Sequence, residues 1–381
     1  MLTGSSVVGY STRSWCELSC TTEVTPGGRV GHTAHVVSDL ESTEPGIILV
    51  GGADLSKTRG DIYSLKPIGA NYACELIQQD LPELSRYEHA SGILKDKRLL
   101  IFGGASQSGP LKSSYTLDFS RDPNAGDDEV SCEIVGSNPF PGHERTQHTA
   151  VCLTEHDQLL VFAGAGFGSE PVPDTKVYMY DSVLDKWSEV QTTGHPPCPR
   201  LGHLLVYQPN SRQPPDNSVR TPIGTLYIHG GMANELLFDD FHELTFTKAS
   251  VAHWKEITVL QDDYSSERSD ECQLCCGSSV SNCDRHSKRN RIPCARAGHG
   301  GVCIPKFSSD DGDKNNQECR LYIFGGISAS GALNDLFYFN TENDHQQYLF
   351  IHGGMDTDGN IFDDAWILLL DQTYSDSAIT E

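Results

Sequence analysis

Six times along the chain a short apolar run ends in a pair of small residues. IILV leads into Gly51-Gly52, LLIF into Gly103-Gly104, LLVF into Ala163-Gly164, LYIH into Gly230-Gly231, LYIF into Gly325-Gly326 and YLFIH into Gly353-Gly354. Four or five apolar residues bounded by turn formers make a buried strand, and a Gly pair suits a strand end where φ turns positive or another backbone packs close. Recurrence of this kind means that the fold is built from repeated small sheets. One such sheet cannot bury both its faces, so neighbours must stack. Successive pairs begin 52, 60, 67, 95 and 28 residues apart, a unit near fifty residues that inserts lengthen and that is once cut short.

Other elements keep step with the pairs. Arg-x-x-His precedes five of them, at Arg29 to His32, Arg86 to His89, Arg145 to His148, Arg200 to His203 and Arg296 to His299. Downstream comes an Asp and an alternating strand: Asp61, Asp174, Asp240, Asp335 and Asp364, with Ser113 and Ser114 in the second unit. A Trp strand then follows clearly at Trp187 and Trp254. Each unit thus reads as four strands, here called a (from Arg-x-x-His), b (into the Gly pair), c (from the Asp) and d (the Trp strand).

This pattern resembles the kelch repeat, and the resemblance runs from about Trp15 to Asp371. It implies an all-β fold, a six-bladed β-propeller. The repeats are placed at about 29–80, 86–136, 145–191, 200–258, 296–340 and 348–371, with an orphan Trp strand at 14–18 closing the last blade and a tail at 372–381. Between Asn340 and Tyr348 only seven residues remain, so strand d of the fifth blade and strand a of the sixth are expected to be missing. Closing a ring over missing strands leaves unpaired edges.

Composition agrees with many short strands and turns: 36 Gly and 19 Pro, with only 37% hydrophobic residues. The net charge of −24 argues against nucleic acid and anionic membrane as partners. No leader-like apolar run or membrane-length apolar stretch is found, so a cytoplasmic protein is expected, with most of its 13 cysteines as free thiols.

Polar inserts at 208–222, 261–293 and 305–318 read as surface loops. The second carries Cys272, Cys275, Cys283 and His286, which can be drawn as a zinc knuckle. No aromatic residue lies between Cys272 and Cys294 to pack one, so reduced loop thiols and no metal are expected. The histidines of Arg-x-x-His recur in unit after unit, which fits hydrogen bonding between units better than a metal centre. GAGFGS at Gly164 to Ser169 superficially matches a dinucleotide loop, but a b-to-c turn explains it. With no nucleophile motif either, no catalytic residue and no cofactor are expected.

The candidate binding residues are Arg29, Arg86, Arg145, Arg200 and Arg296. Strands alternate in direction, so the d-to-a and b-to-c connections share one rim, where the five arginines could form a positive mouth for an acidic partner. The competing reading is that each pairs with a local acid or a backbone carbonyl to pin its loop.

Kelch propellers occur as enzymes, ubiquitin-ligase adaptors and free-standing binding proteins. The first Arg-x-x-His at residue 29 leaves no expected room for an adaptor's helical region. The layout, with RYEHASGIL, PVPDTKVYMYD and GGMDTDGNIFDD, resembles the kelch-type Rab effectors. That resemblance implies a non-enzymatic, monomeric propeller that binds a GTP-loaded Rab GTPase. It also implies peripheral recruitment to endosomes, without membrane insertion, and a role in endosome to trans-Golgi transport.

Overall fold

The computed structural model describes residues 15–37, 46–68, 71–79, 81–119, 131–134, 139–153, 156–209, 224–246, 251–257, 293–305, 319–333, 336–339, 348–356 and 358–369. These are almost entirely strands and turns; helical turns are confined to short 3-10 segments such as Pro82–Leu84. The possible zinc ligands Cys272, Cys275, Cys283 and His286, and most of the three polar inserts, lie outside the described residues.

After β1 (Trp15–Cys20), the first unit comprises β2 (Thr33–Val37), β3 (Gly46–Val50), β4 (Ile62–Ile68) and β5 (Asn71–Gln78), paired antiparallel in chain order. The second comprises β6 (Ala90–Ile93), β7 (Leu99–Phe102), β8 (Ser114–Asp118) and β9 (Ser131–Ile134). In the third, β10 (Thr149–Leu153), β11 (Gln158–Phe162), β12 (Val177–Asp181) and β13 (Lys186–Glu189) repeat the meander. β14 (Gln191–Gly194) then crosses to the fourth sheet, formed by β15 (Leu204–Pro209), β16 (Gly224–His229), β17 (Phe241–Phe246) and β18 (Val251–Ile257).

The last two units are shorter. β19 (Gly300–Pro305), β20 (Cys319–Phe324) and β21 (Leu336–Phe339) form a three-stranded sheet. β22 (Tyr348–Met355) and β23 (Ile361–Leu369) form a hairpin, whose open side at β23 is taken by β1 through the register Trp15 to Leu368 and Leu18 to Ala365. The chain's first strand therefore sits on its last, and the far end of β1 also meets β5 at Ser19 and Asn71.

Burial explains why the b strands are apolar without alternation. A strand covered on both faces reads as a continuous apolar run. Ile47 and Leu49 of β3 pack with Leu18, Leu65 and Tyr72 on one face, while Ile48 and Val50 pack with Leu99, Ile101 and Leu117 of the second unit on the other. The same sharing joins the second unit to the third around Phe102, Phe140 and Trp187. Phe162 and Trp254 join the third to the fourth, and Val206 with Ile323 joins the fourth to the fifth. The first strands of successive units lie side by side, β2 against β6, β6 against β10, β10 against β15 and β15 against β19.

Candidate functional site: a rim of turns held by buried arginines

The arginines are the keystones of this rim, but they do not face solvent. Arg29, Arg145, Arg200 and Arg296 have no exposed surface and Arg86 has 2%. In units one to five Nη1 donates to the carbonyl of the first residue of the unit's own pair: Arg29 to Gly51 and Arg86 to Gly103 at 2.9 Å, Arg145 to Ala163 at 3.0 Å, Arg200 to Gly230 at 2.9 Å and Arg296 to Gly325 at 3.0 Å.

In units one, three and four the Asp that opens strand c supplies the countercharge. Asp61 takes Arg29 at 2.6 Å and Asp240 takes Arg200 at 2.6 and 2.7 Å, while Asp174 lies 3.4 Å from Arg145. Ser113 replaces the acid for Arg86, accepting at 3.1 Å. Burial opposes the charge of Asp240, but hydrogen bonds from Arg200 and His242 outweigh it and hold the carboxyl well below its ordinary range. The expected positive mouth thus gives way to internal struts, because a desolvated guanidinium is stable only when its fork is filled by carbonyls and a carboxylate.

The backbone repeats this linkage between units. The second residue of each pair donates to the arginine carbonyl of the next unit, Gly52 to Arg86, Gly104 to Arg145, Gly164 to Arg200 and Gly231 to Arg296, at 2.8 to 2.9 Å. Approach there is close: a Cβ on Gly231 would lie 2.8 Å from the Leu201 carbonyl oxygen. A second chain of bonds runs through the residue before each histidine, from Glu88 N to Gly31 O, Gln147 N to Glu88 O, Gly202 N to Gln147 O and Gly298 N to Gly202 O. All five residues have left-handed φ between 49° and 66°.

The histidines join the same network. His89 Nε2 lies 2.9 Å from Thr33 Oγ1 of the preceding unit, His203 Nε2 meets Thr149 Oγ1, and His299 Nε2 lies 3.0 Å from His229 Nδ1. Burial, reinforced by Arg145, lowers His148 to about 3. Burial with neighbouring His299 and Arg296 does the same for His229. They are neutral and structural at physiological pH. Among the described residues no three of His, Cys, Asp and Glu are grouped to hold a metal ion.

What the rim does present to solvent was not singled out by the motifs. Leu55 is 86% exposed, Phe167 83%, Leu236 63% and Ile327 45%, each in the b-to-c turn of a different unit. Equivalent connections of stacked meanders emerge on the same side, so these side chains share a rim. The same connections carry the exposed acids Glu23, Glu83, Glu144, Glu170 and Glu235 and the exposed bases Lys57, Lys112 and Lys176. Isolated exposed leucines are ordinary, whereas apolar tips repeated on one rim mark a surface for a partner. In the sequence these residues are single apolar positions within otherwise polar or mixed turns that follow a Gly pair.

Comparison with known proteins agrees with this architecture. A family model described as the KLHDC2/KLHL20/DRC7 Kelch-repeats domain matches residues 5–212, more than half of the chain. Relatives called Rab9 effector protein with kelch motifs include that of Xenopus laevis, 34% identical over 223 residues, covering 56% of this chain and 52% of the relative. That of Homo sapiens is 32% identical over 219 residues, covering 56% and 52%. The chain spans about half the length of these curated relatives. Among solved structures, "Structure of YjhT" superposes with a TM-score of 0.54 at 14% identity, covering 90% of this chain and 95% of the other, a likeness of fold alone. The buried arginines, the Gly pairs and the family match together place this chain in the kelch-repeat family.

Proposed function

We propose that this chain is a non-enzymatic, monomeric binding propeller whose b-to-c rim docks a GTP-bound Rab GTPase. Its six blades follow the repeats at about 29–80, 86–136, 145–191, 200–258, 296–340 and 348–371, with strand d of the fifth and strand a of the sixth missing from the sequence. The observation that carries the reading is the set of exposed tips Leu55, Phe167, Leu236 and Ile327 on the turns of stacked sheets. The kinship to proteins named as Rab9 effectors supports the class of partner. Such a partner would bring apolar side chains flanked by bases, complementary to the acidic rim. Recruitment by a Rab would make the protein a cytoplasmic one held peripherally at endosomes, acting in transport to the trans-Golgi. Among the described residues no helix is long and apolar enough to cross a membrane.

A pull-down with the Rab loaded with a GTP analogue or GDP tests this. Capture should favour the GTP form at least about tenfold, equivalent to about 1.4 kcal/mol. The double variant Leu55→Asp/Phe167→Asp should lose capture without a change in thermal midpoint. Equal or absent capture in both nucleotide states, or an unaffected variant, refutes the assignment.

A further inference from the structure

Among the described residues the chain of struts is not continued from unit five to unit six. Between Phe339 and Tyr348 the sequence NTENDHQQ contains no arginine and is too short for two strands with their connections. Unit six supplies a b strand, β22, that forms the outer edge of its sheet among the described residues. Unlike the other five b strands, β22 runs on through its Gly pair to Met355. Gly354 still donates to the Arg29 carbonyl at 3.4 Å, so unit six is joined to unit one in the ordinary way.

On the other side no such link is found among the described residues. Among the described residues Gly326 N and Gly298 O have no hydrogen-bond partner, although their counterparts Gly231 N and Gly202 O bond Arg296 O and Gly298 N at 2.8 and 2.7 Å. Space tells the same story. A Cβ on Gly230 would lie 2.8 Å from Arg296 O and 2.9 Å from His299 Cε1, but a Cβ on the equivalent Gly325 meets only Leu333 O, at 3.3 Å. A Cβ on Gly354, Gly298 or Gly300 meets nothing among the described residues within 4 Å.

We propose that this slot between β19 and β22 receives, in trans, an extended segment of another polypeptide that carries arginine followed three residues later by histidine. The five internal a strands specify how it binds. Its strand adds to the β22 edge, the sheet-edge mode of peptide recognition. Its arginine N–H meets Leu333 O, as Arg296 N meets Phe238 O at 3.1 Å. Its arginine carbonyl accepts from Gly326 N, and its guanidinium donates to Gly353 O, as Arg296 does to Gly325 O at 3.0 Å. The residue before its histidine donates to Gly298 O and accepts from Gly31 N, completing the left-handed chain. A segment lacking the arginine leaves the Gly353 carbonyl without its guanidinium donor, which makes arginine the selective residue.

The test titrates the full chain into a fluorescein-labelled peptide copying residues 197–209 (PCPRLGHLLVYQP), the chain's own fourth a strand. Anisotropy should show saturable binding, weakened at least about tenfold when the peptide arginine becomes alanine. Gly300→Trp, at a position without left-handed φ, should fill the slot and remove binding while leaving the thermal midpoint unchanged. Failure of the parent peptide to saturate, equal binding of the alanine peptide, or full binding by folded Gly300→Trp overturns the proposal. Rab capture on the b-to-c rim is independent of each outcome.

Discussion

Acidification should unfold this protein through its histidines before its carboxylates titrate. His89, His148, His203, His229 and His352 are each no more than 8% exposed. Burial lowers His148 and His229 to about 3 and His352 to about 4, and drives His89 and His203 well below the ordinary value, with nearby arginines adding to the effect. These rings stay neutral in the fold, whereas in the unfolded chain they bind protons below about pH 6.5. The unfolded state therefore takes up more protons on acidification, and stability, fully present above about pH 6.5, is lost as pH falls toward the folded values. Each histidine contributes up to about 1.4 kcal/mol per pH unit, so the five together approach about 7 kcal/mol per unit. That consumes the roughly 5–15 kcal/mol of an ordinary domain within about one to two units. Asp240, held low by Arg200 and His242, loses its contribution only at more acid pH. Denaturant titrations followed by tryptophan fluorescence from pH 7.5 to 5 should show a steep fall beginning near pH 6.5. His203→Gln should reduce the slope by about one seventh, because burial also lowers His32 to about 3 and His35 to about 4. A flat profile to pH 5, with loss only below about pH 4, would refute the neutral buried histidines.

Two further predictions follow from the struts. Arg200→Met should cost about 3–5 kcal/mol in denaturant titration, because it strands Asp240 beside a buried carbonyl. Arg200→Met/Asp240→Leu should recover much of that loss, and an equal deficit in both variants would contradict the ion-pair account. Ala163 holds φ at 52°, where Gly51, Gly103, Gly230 and Gly325 hold 62° to 66° in four other units. Ala163→Gly should therefore raise stability by about 0.5–1 kcal/mol, net of the greater freedom of glycine in the unfolded chain, and a loss of stability would show that the turn carries no strain.

Much of the architecture was legible because the repeat carries its chemistry in phase. The apolar runs into Gly51, Gly103 and Gly230 mark strands buried on both faces, and Arg-x-x-His marks the start of the strand that precedes each. The role of the arginines was legible only as two alternatives. Local pattern shows that an arginine stands at a connection; it does not show where the fork points. The rim tips were harder still, since one Leu or Phe in a polar turn resembles any surface residue until equivalent turns are brought to one side.

What the sequence determined by itself is the repeated unit and the strand order within it, since each follows from residue types at fixed spacing. What tertiary structure decided is what those residues meet. The carbonyl that fills the Arg29 fork is 22 residues away at Gly51, and Trp15 pairs with Leu368 at the opposite end of the chain. Contacts of that separation exist only once the sheets stack. The physical reason is that a guanidinium is exposed or buried according to whether carbonyls from elsewhere arrive to replace its water, and spacing along the chain does not record that arrival.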